Sequence, residues 1–493
     1  MQITFQTAKN GEETAAADNI YLHSSYAPSK EAERFVEGLT FSYTPQIIII
    51  TEPALSYAAK FLRQRYENAK IGVIRYVKDF EKYNSFFDFV LNYFEHPDFE
   101  TYLERLYDEQ QLITMQFISW SPSGRVFAAE ETSVWKSIKA ALERSKTLLI
   151  TRQYFEKKWL YNTAIFFKYI NNPVKLSGPV NKPTVIISSG PSLKPAINII
   201  KSHRHNLFVL CLSSAISTCL SNGIIPDLCM TTDGGFWAGE HLKKLEKKDI
   251  PLTLPSEALC KKNLLKKLRI LPMIYDDGIS KEICESADRY TFVHAVRNGT
   301  VSGTALLFAC EYCTKDIYLC GLDMACQKGF QHLQPNELET NNSLYDCRIR
   351  TKEKRLTASQ FSGASLEIYK NWFCSNKIEL KDRKVYRVIN KADRQNNLNW
   401  IEDIEDTDFM NNLQNNKNAS DSTFGFISQQ IQKNNIDNRL YFKKIFENEN
   451  CKKQLFPLDY VSLIHNPGNS EILNKIDSEY KKLQKKIEAV LNE

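Results

Sequence analysis

Between Thr184 and Ile200 the chain reads Thr-Val-Ile-Ile-Ser-Ser-Gly-Pro-Ser-Leu-Lys-Pro-Ala-Ile-Asn-Ile-Ile. The β-branched run at its start suits a strand covered on both faces. Leu193, Ile197 and Ile200 then recur at helical spacing, which packs a helix back onto the sheet. In the turn, Gly190 lets backbone approach a ligand without a Cβ, and Pro191 removes a donor where donors are spare. The Ser188, Ser189 and Ser192 hydroxyls, the free N–H groups and the positive helix end face whatever lies above the strand. Such a turn either holds an anionic group or is an ordinary strand-to-helix connection.

The alternation continues downstream. Residues 207–212 form a buried strand ending at Ser213 and Ser214, and a short helix closes at Gly223. Residues 228–232 form a strand ending at Asp233, and further strands are expected at 252–254 and 270–275. The loop Asn298-Gly-Thr-Val-Ser-Gly-Thr304, with Ser302, Gly303 and Thr304, opens an apolar helix. Residues 316–320 then form a strand ending in Gly321-Leu-Asp323. Repeated βαβ units imply a doubly wound, mainly parallel α/β sheet, in which ligands sit outside the carboxyl ends of the strands. The serines and acidic residues named above collect at those ends.

Upstream, strands at 46–50 and 71–76 flank a helix and predict a small Rossmann-like α/β domain. It has no Gly-x-Gly-x-x-Gly turn, so dinucleotide binding is not expected there. Residues 86–106 carry Phe, Tyr and Leu at helical spacing and read as core or a domain contact. Helices are expected over 131–170. The proline-, glycine- and asparagine-bearing stretch 171–183 reads as a linker. His294, on an apolar strand, reads as a core residue. The Asn- and Asp-rich stretch 411–422 reads as a loop, followed by helices at 424–448 and 472–491. These readings divide the chain into an N-terminal α/β domain (1–170), a central domain (171–395) and a helical C-terminal domain (396–493).

The totals exclude several classes. Hydrophobic residues at 43% and charged residues at 25% describe a water-soluble chain. A net charge of +6 over 493 residues makes no electrostatic case for nucleic acid. No apolar run approaches the ~20 residues of a membrane helix, so membrane insertion is not expected. The twelve cysteines include one Cys-x-x-Cys spacing, Cys310 to Cys313 on an apolar helix, form no paired Cys/His cluster, and suit reduced thiols. A cytoplasmic location is expected.

Four patterns occur in order within the central region: Ser188-Ser-Gly-Pro-Ser-Leu193, Asn222-Gly-Ile-Ile-Pro-Asp227 with Asp233 after the next strand, Gly299-Thr-Val-Ser-Gly-Thr304, and Asp316-Ile-Tyr-Leu-Cys-Gly-Leu-Asp323. Together they resemble the motility-associated factor (Maf) flagellin glycosyltransferases, whose central domain is also called DUF115 or MptE-like. That domain is similar to bacterial sialyltransferases with a Gly-x-Gly-Pro-Ser-Leu loop. The resemblance implies a CMP-activated nonulosonic acid of pseudaminic or legionaminic type as donor, and Ser or Thr of flagellin as acceptor. It places Gly190, Pro191 and Ser192 in the nucleotide cradle, Ser302 and Gly303 at the donor phosphate, and Asp233 and Asp323 at strand ends facing the pocket. Ser189 stands where the sialyltransferases have Asn, and Ser213-Ser214 where they have Asn-Gln. Asn390-Lys-Ala-Asp-Arg394 replaces the family's Asn-Ala-Thr-x-Gly-Gly.

Transfer requires stabilising a departing phosphate and deprotonating a hydroxyl. His332, after a Lys-Gly-Phe-Gln run, and Asp233 are the candidate bases, since imidazole titrates near working pH. Two helix starts, at Ser192 and Ser302, offer N–H groups to phosphate, so no obligatory metal or other cofactor is expected. If Mg or Mn binds instead, Asp233 and Asp323 are the best ligands. The MptE-like name also covers archaeal pterin diphosphokinases using ATP and magnesium. An inactive flagellin-binding chaperone is a third reading.

Overall fold

The computed structural model describes residues 2–324, 332–351, 354, 364–380, 382–389, 397–415, 424–430 and 437–493. It divides the chain into two compact units, one of residues 1–156 with 452–480, the other of 157–451 with 481–493.

In the first unit a three-stranded antiparallel meander, β1 (Ile3–Thr7), β2 (Glu13–Ala17) and β3 (Ile20–Tyr21), precedes a four-stranded parallel sheet. The latter contains β4 (Ile47–Thr51), β5 (Lys70–Arg75), β6 (Phe89–Asn92) and β7 (Gln116–Ser119), in the order β6-β5-β4-β7. This is the expected βαβ unit extended by two strands. β6 lies inside the aromatic stretch read as helical, and only Phe99–Leu106 there is an α-helix. At the carboxyl ends of β4 and β5 the crevice is filled from within. Arg75 and Glu52, both fully buried, pair at 2.9 Å, and Arg75 also donates to Ser56 and to the Ala54 carbonyl. A 42-residue helix, Ala128–Tyr169, follows.

The second unit is built on an eleven-stranded sheet. Its strands are β8 (Asn172–Leu176), β9 (Thr184–Ile187), β10 (Phe208–Leu212), β11 (Leu228–Met230), β12 (Leu252–Pro255), β13 (Arg269–Tyr275), β14 (Val293–Ala295), β15 (Ile317–Cys320), β16 (Val385–Val388), β17 (Glu402–Ile404) and β18 (Phe426–Ser428). The order is β17-β16-β15-β9-β10-β11-β12-β13-β8-β18, with β14 on β13. All pairs are parallel except β18 on β8. Every residue of β9, β10 and β15 is buried, as expected for parallel strands covered on both faces. Ile186, Leu210, Leu271 and Leu319 belong to one apolar cluster with Leu306 and Phe308 of the helix Val301–Tyr312.

Several sequence readings are corrected. The stretch read as a linker contains β8, paired with β13 through Asn172↔Arg269 and Pro173↔Ile270. Pro173 stands second in this short strand, near its start, where a missing N–H is tolerated. His294 on β14 faces solvent rather than core. Asp406–Asn415 is a helix, because Phe409 and Leu413, one turn apart, bury the same side. The stretch read as helical over 424–448 begins with β18, and its helix runs over Asn438–Glu447. Residues past 395 also supply both edge strands of the central sheet, β17 and β18. The final helix, Ser470–Asn492, buries Ile476, Tyr480, Leu483 and Ile487 as the periodicity predicts, whereas Leu473 is 45% exposed.

Candidate functional site

Winding away from β9 through β10 to β13, then crossing back to β15 on its other side, puts the reversal of strand order between β9 and β15. Crevices open at such reversals. The turns that follow these two strands meet there. Gly190 N–H donates to the Gly321 carbonyl at 2.9 Å, and Ser192 N–H donates to Asp323 Oδ2 at 3.0 Å. A Cβ on Gly190 would lie 2.5 Å from Gly321 O and 2.6 Å from Asp323 Oδ2. A Cβ on Gly321, at φ +77°, would lie 2.4 Å from the Ser188 carbonyl oxygen. The glycines therefore let the two turns interlock, and the space expected for a ligand at Gly190 is occupied by the chain itself. The Ser192 hydroxyl is 1% exposed and has no hydrogen-bond partner among the described residues.

The crossover helix Val301–Tyr312 brings Ser302 to the same place, with its hydroxyl 3.4 Å from that of Ser188. Gly303 has no room for a Cβ either, because Trp372 and Asn298 lie within 2.9 Å of where one would stand. Asn298 organises the loop, accepting from Thr300 N–H and donating to Thr304 Oγ1. On the other side of β9, Ser214 donates to Ser189 at 3.1 Å and Ser213 to Thr231 at 3.3 Å. Ser188, Ser189, Ser192, Ser214, Ser302 and Asp323 thus form one polar rim around the β9 and β15 ends.

His332 joins this rim. The next residue, Leu333, donates its N–H to the Ser189 carbonyl at 2.7 Å. The short segment that follows is strapped down. Thr218 donates to the carbonyls of Leu333 and Pro335, and Asn336 donates to the Ser214 carbonyl at 2.9 Å. Glu337 accepts from Ser217 and from His241 Nδ1, the latter at 2.9 Å. Burial alone would raise the Glu337 carboxyl, but these two hydrogen bonds outweigh it and hold it below the usual carboxylate range. The run preceding His332, at 328–331, and the segment Asn390–Arg394 lie outside the described residues.

Asp233 does not join. It is exposed, and its carboxylate accepts from Gly235 N–H at 2.8 Å in its own turn. β11 lies two strands from β9 and three from β15, which separates the Asp233 and Asp323 backbones by roughly 14 Å at ~4.8 Å per strand. The two carboxylates are not on adjacent strand ends and cannot share one cation without rearrangement.

Beside Asp233 is a group that the sequence reading missed. Arg297, just after β14, chelates Glu257 at 3.0 and 3.1 Å and Asp277 at 2.9 Å. Its guanidinium lies over Trp159 and Tyr275 at 4.6 and 4.3 Å from the ring centroids. Trp159 in turn packs against Gly234. Burial pushes the Glu257 carboxyl up despite Arg297, and burial likewise pushes the Tyr275 phenol up to about 12. Nothing in local spacing marks this cluster, because its members come from the long helix, from the end of β13 and from the connections after β12, β13 and β14. A cavity of about 510 Å³ lined by Cys310, Cys313, Ile378, Leu380 and Arg383 lies at the other end of the sheet, before β15 and β16, and takes no part in the site.

Comparison with known proteins agrees with this architecture. Residues 137–329, which include the first strands and turns of the site, match the family described as 6-hydroxymethylpterin diphosphokinase MptE-like. The fold is similar to that of a solved Maf glycosyltransferase from Magnetospirillum magneticum AMB-1, with a TM-score of 0.55 covering 100% of this chain and 91% of that one, at 11% identity. An uncharacterized protein of Treponema pallidum (strain Nichols) is 28% identical over 396 residues, 75% of this chain and 85% of that protein. A second from the same organism is 24% identical over 109 residues, 22% of this chain and 52% of that protein.

Proposed function

We propose that the chain is a glycosyltransferase that moves a nonulosonic acid from a CMP-activated donor to Ser or Thr hydroxyls of flagellin. The observation that carries this reading is the meeting of Ser188–Ser192, Ser302 and His332 at the strand-order reversal of a sheet shared with a Maf glycosyltransferase. In this reading the hydroxyls of Ser188, Ser189, Ser214 and Ser302 face the donor phosphate and ribose. His332 takes the acceptor proton, and Asp233, outside the rim at the end of β11, orients the sugar from there. The chemistry needs phosphate stabilisation by fixed dipoles and a base, both of which these residues supply without an obligatory metal.

Purified chain, a CMP-nonulosonic acid and unmodified flagellin should give a mass increase on flagellin, with EDTA present as well as absent. Flagellin of unchanged mass, with the donor intact, would remove the reading. The family matched over residues 137–329 favours a second one, transfer of diphosphate from ATP to a hydroxymethylated pterin. Release of AMP only when the pterin is added would select it.

A further inference from the structure

His332 has a second neighbour that the rim does not explain. Its Nδ1 lies 3.5 Å from Glu339 Oε1. The Glu339 side chain is 4% exposed and that of His332 20%. Nδ1 forms no hydrogen bond among the described residues at this distance. A buried carboxylate facing one imidazole nitrogen fixes which nitrogen carries the proton, and leaves the other as a lone-pair acceptor. Contacts of this kind are often long in an empty site and tighten when substrate arrives.

The backbone around Glu339 is held so that this carboxylate cannot wander. Asn336 caps the helix Glu337–Ser343, accepting from Leu338 N–H at 3.0 Å and Glu339 N–H at 3.2 Å. Asn336 is itself 1% exposed and tied to the Ser214 carbonyl. The Ser217–Glu337–His241 contacts pin the first turn of the same helix. Leu333, bonded to Ser189, pins the other side of His332. The ring is therefore bracketed between the first turn of the site and a rigid carboxylate.

We infer that Glu339 is a positioning residue for His332, accepting Nδ1–H so that Nε2 is the proton acceptor. This rests on the glycosyl-transfer reading for the step it serves. There, the acceptor oxygen bonds to the anomeric carbon, the bond from that carbon to the CMP phosphate oxygen breaks, and the hydroxyl proton passes to Nε2. CMP leaves with the electron pair.

The test has one arm that needs no turnover. In the full chain labelled with 15N-histidine, the His332 resonance is identified by its loss in His332→Ala. At neutral pH its neutral form should be the Nδ1–H tautomer, and Glu339→Gln should mix the tautomers while Glu339→Asp retains more of the wild-type pattern. An Nε2–H tautomer in the wild type, indifferent to Glu339→Gln, overturns the inference. In the kinetic arm, Glu339→Gln should lower kcat about tenfold or more with KM little changed. It should then cost nothing further in a His332→Ala background. Additive losses would make Glu339 a structural residue only. A wild-type chain with no transferase activity counts against the proposed function, and the tautomer measurement still decides the inference.

Discussion

Ser192 and Asp323 are joined by a 3.0 Å bond from backbone N–H to carboxylate, across the strand-order reversal. The helix start after β9 thus already faces an anion, supplied by the turn after β15. A donor phosphate placed there must displace Asp323 or bind beside it. Asp323→Ala should therefore bind CMP more tightly than the wild type in calorimetry, while losing about 1 kcal/mol of stability with the cap. Weaker CMP binding in a folded variant would make the carboxylate part of the nucleotide contact.

Gly190→Val tests packing rather than ligand approach. Its Cβ would meet a backbone oxygen, which cannot swing aside as a side chain can. We expect a loss of about 2–3 kcal/mol in denaturant melts. Unchanged stability would mean that the turns after β9 and β15 do not interlock as described.

Arg297→Ala leaves Glu257, nearly fully buried, without its cationic partner. Breaking such a pair from one side costs about 3 kcal/mol or more. Glu257→Gln in the same background should recover part of it, since a neutral amide needs no cation. A double variant no more stable than Arg297→Ala, measured by thermal melting, would count against this.

The Glu337 carboxyl is held low in the folded chain, so the unfolded chain binds its proton more readily on acidification. The contribution of its bonds to Ser217 and His241 is complete above the ordinary carboxylate pKa and is lost as pH falls through the lowered one. Hydrogen exchange of residues 333–343, expressed relative to the intrinsic amide rate at each pH, should quicken with acid in the wild type. In Glu337→Gln it should be faster at neutral pH and change less with acid. Equal pH dependence in both proteins would show that the pair does not hold this segment.

What the sequence disclosed follows from how each element is stabilised. β9, β10 and β15 are continuous apolar runs because both faces are covered, and such runs are visible without a structure. The serines at their ends fall into place once the strands are placed. β8 was hidden because its partners lie far along the chain and its proline imitates a break. β17 and β18 have three residues each, too few for any periodicity. Asn336-x-x-Glu339 carried a capping signature that marks a helix start. Its other role was not visible, since Glu339 lies seven positions beyond His332 and only the strap brings them together.

The two outer positions of the eleven-stranded sheet belong to β17 and β18. During synthesis every inner strand leaves the ribosome before either border exists. A nascent or truncated chain ending near residue 395 presents β16 and β8 with unpaired N–H and C=O groups along their free sides, a template for pairing with another copy. The last fifth of the polypeptide thus acts on the central sheet as a seal against self-association, and its loss should be read first in solubility and only afterwards in catalysis.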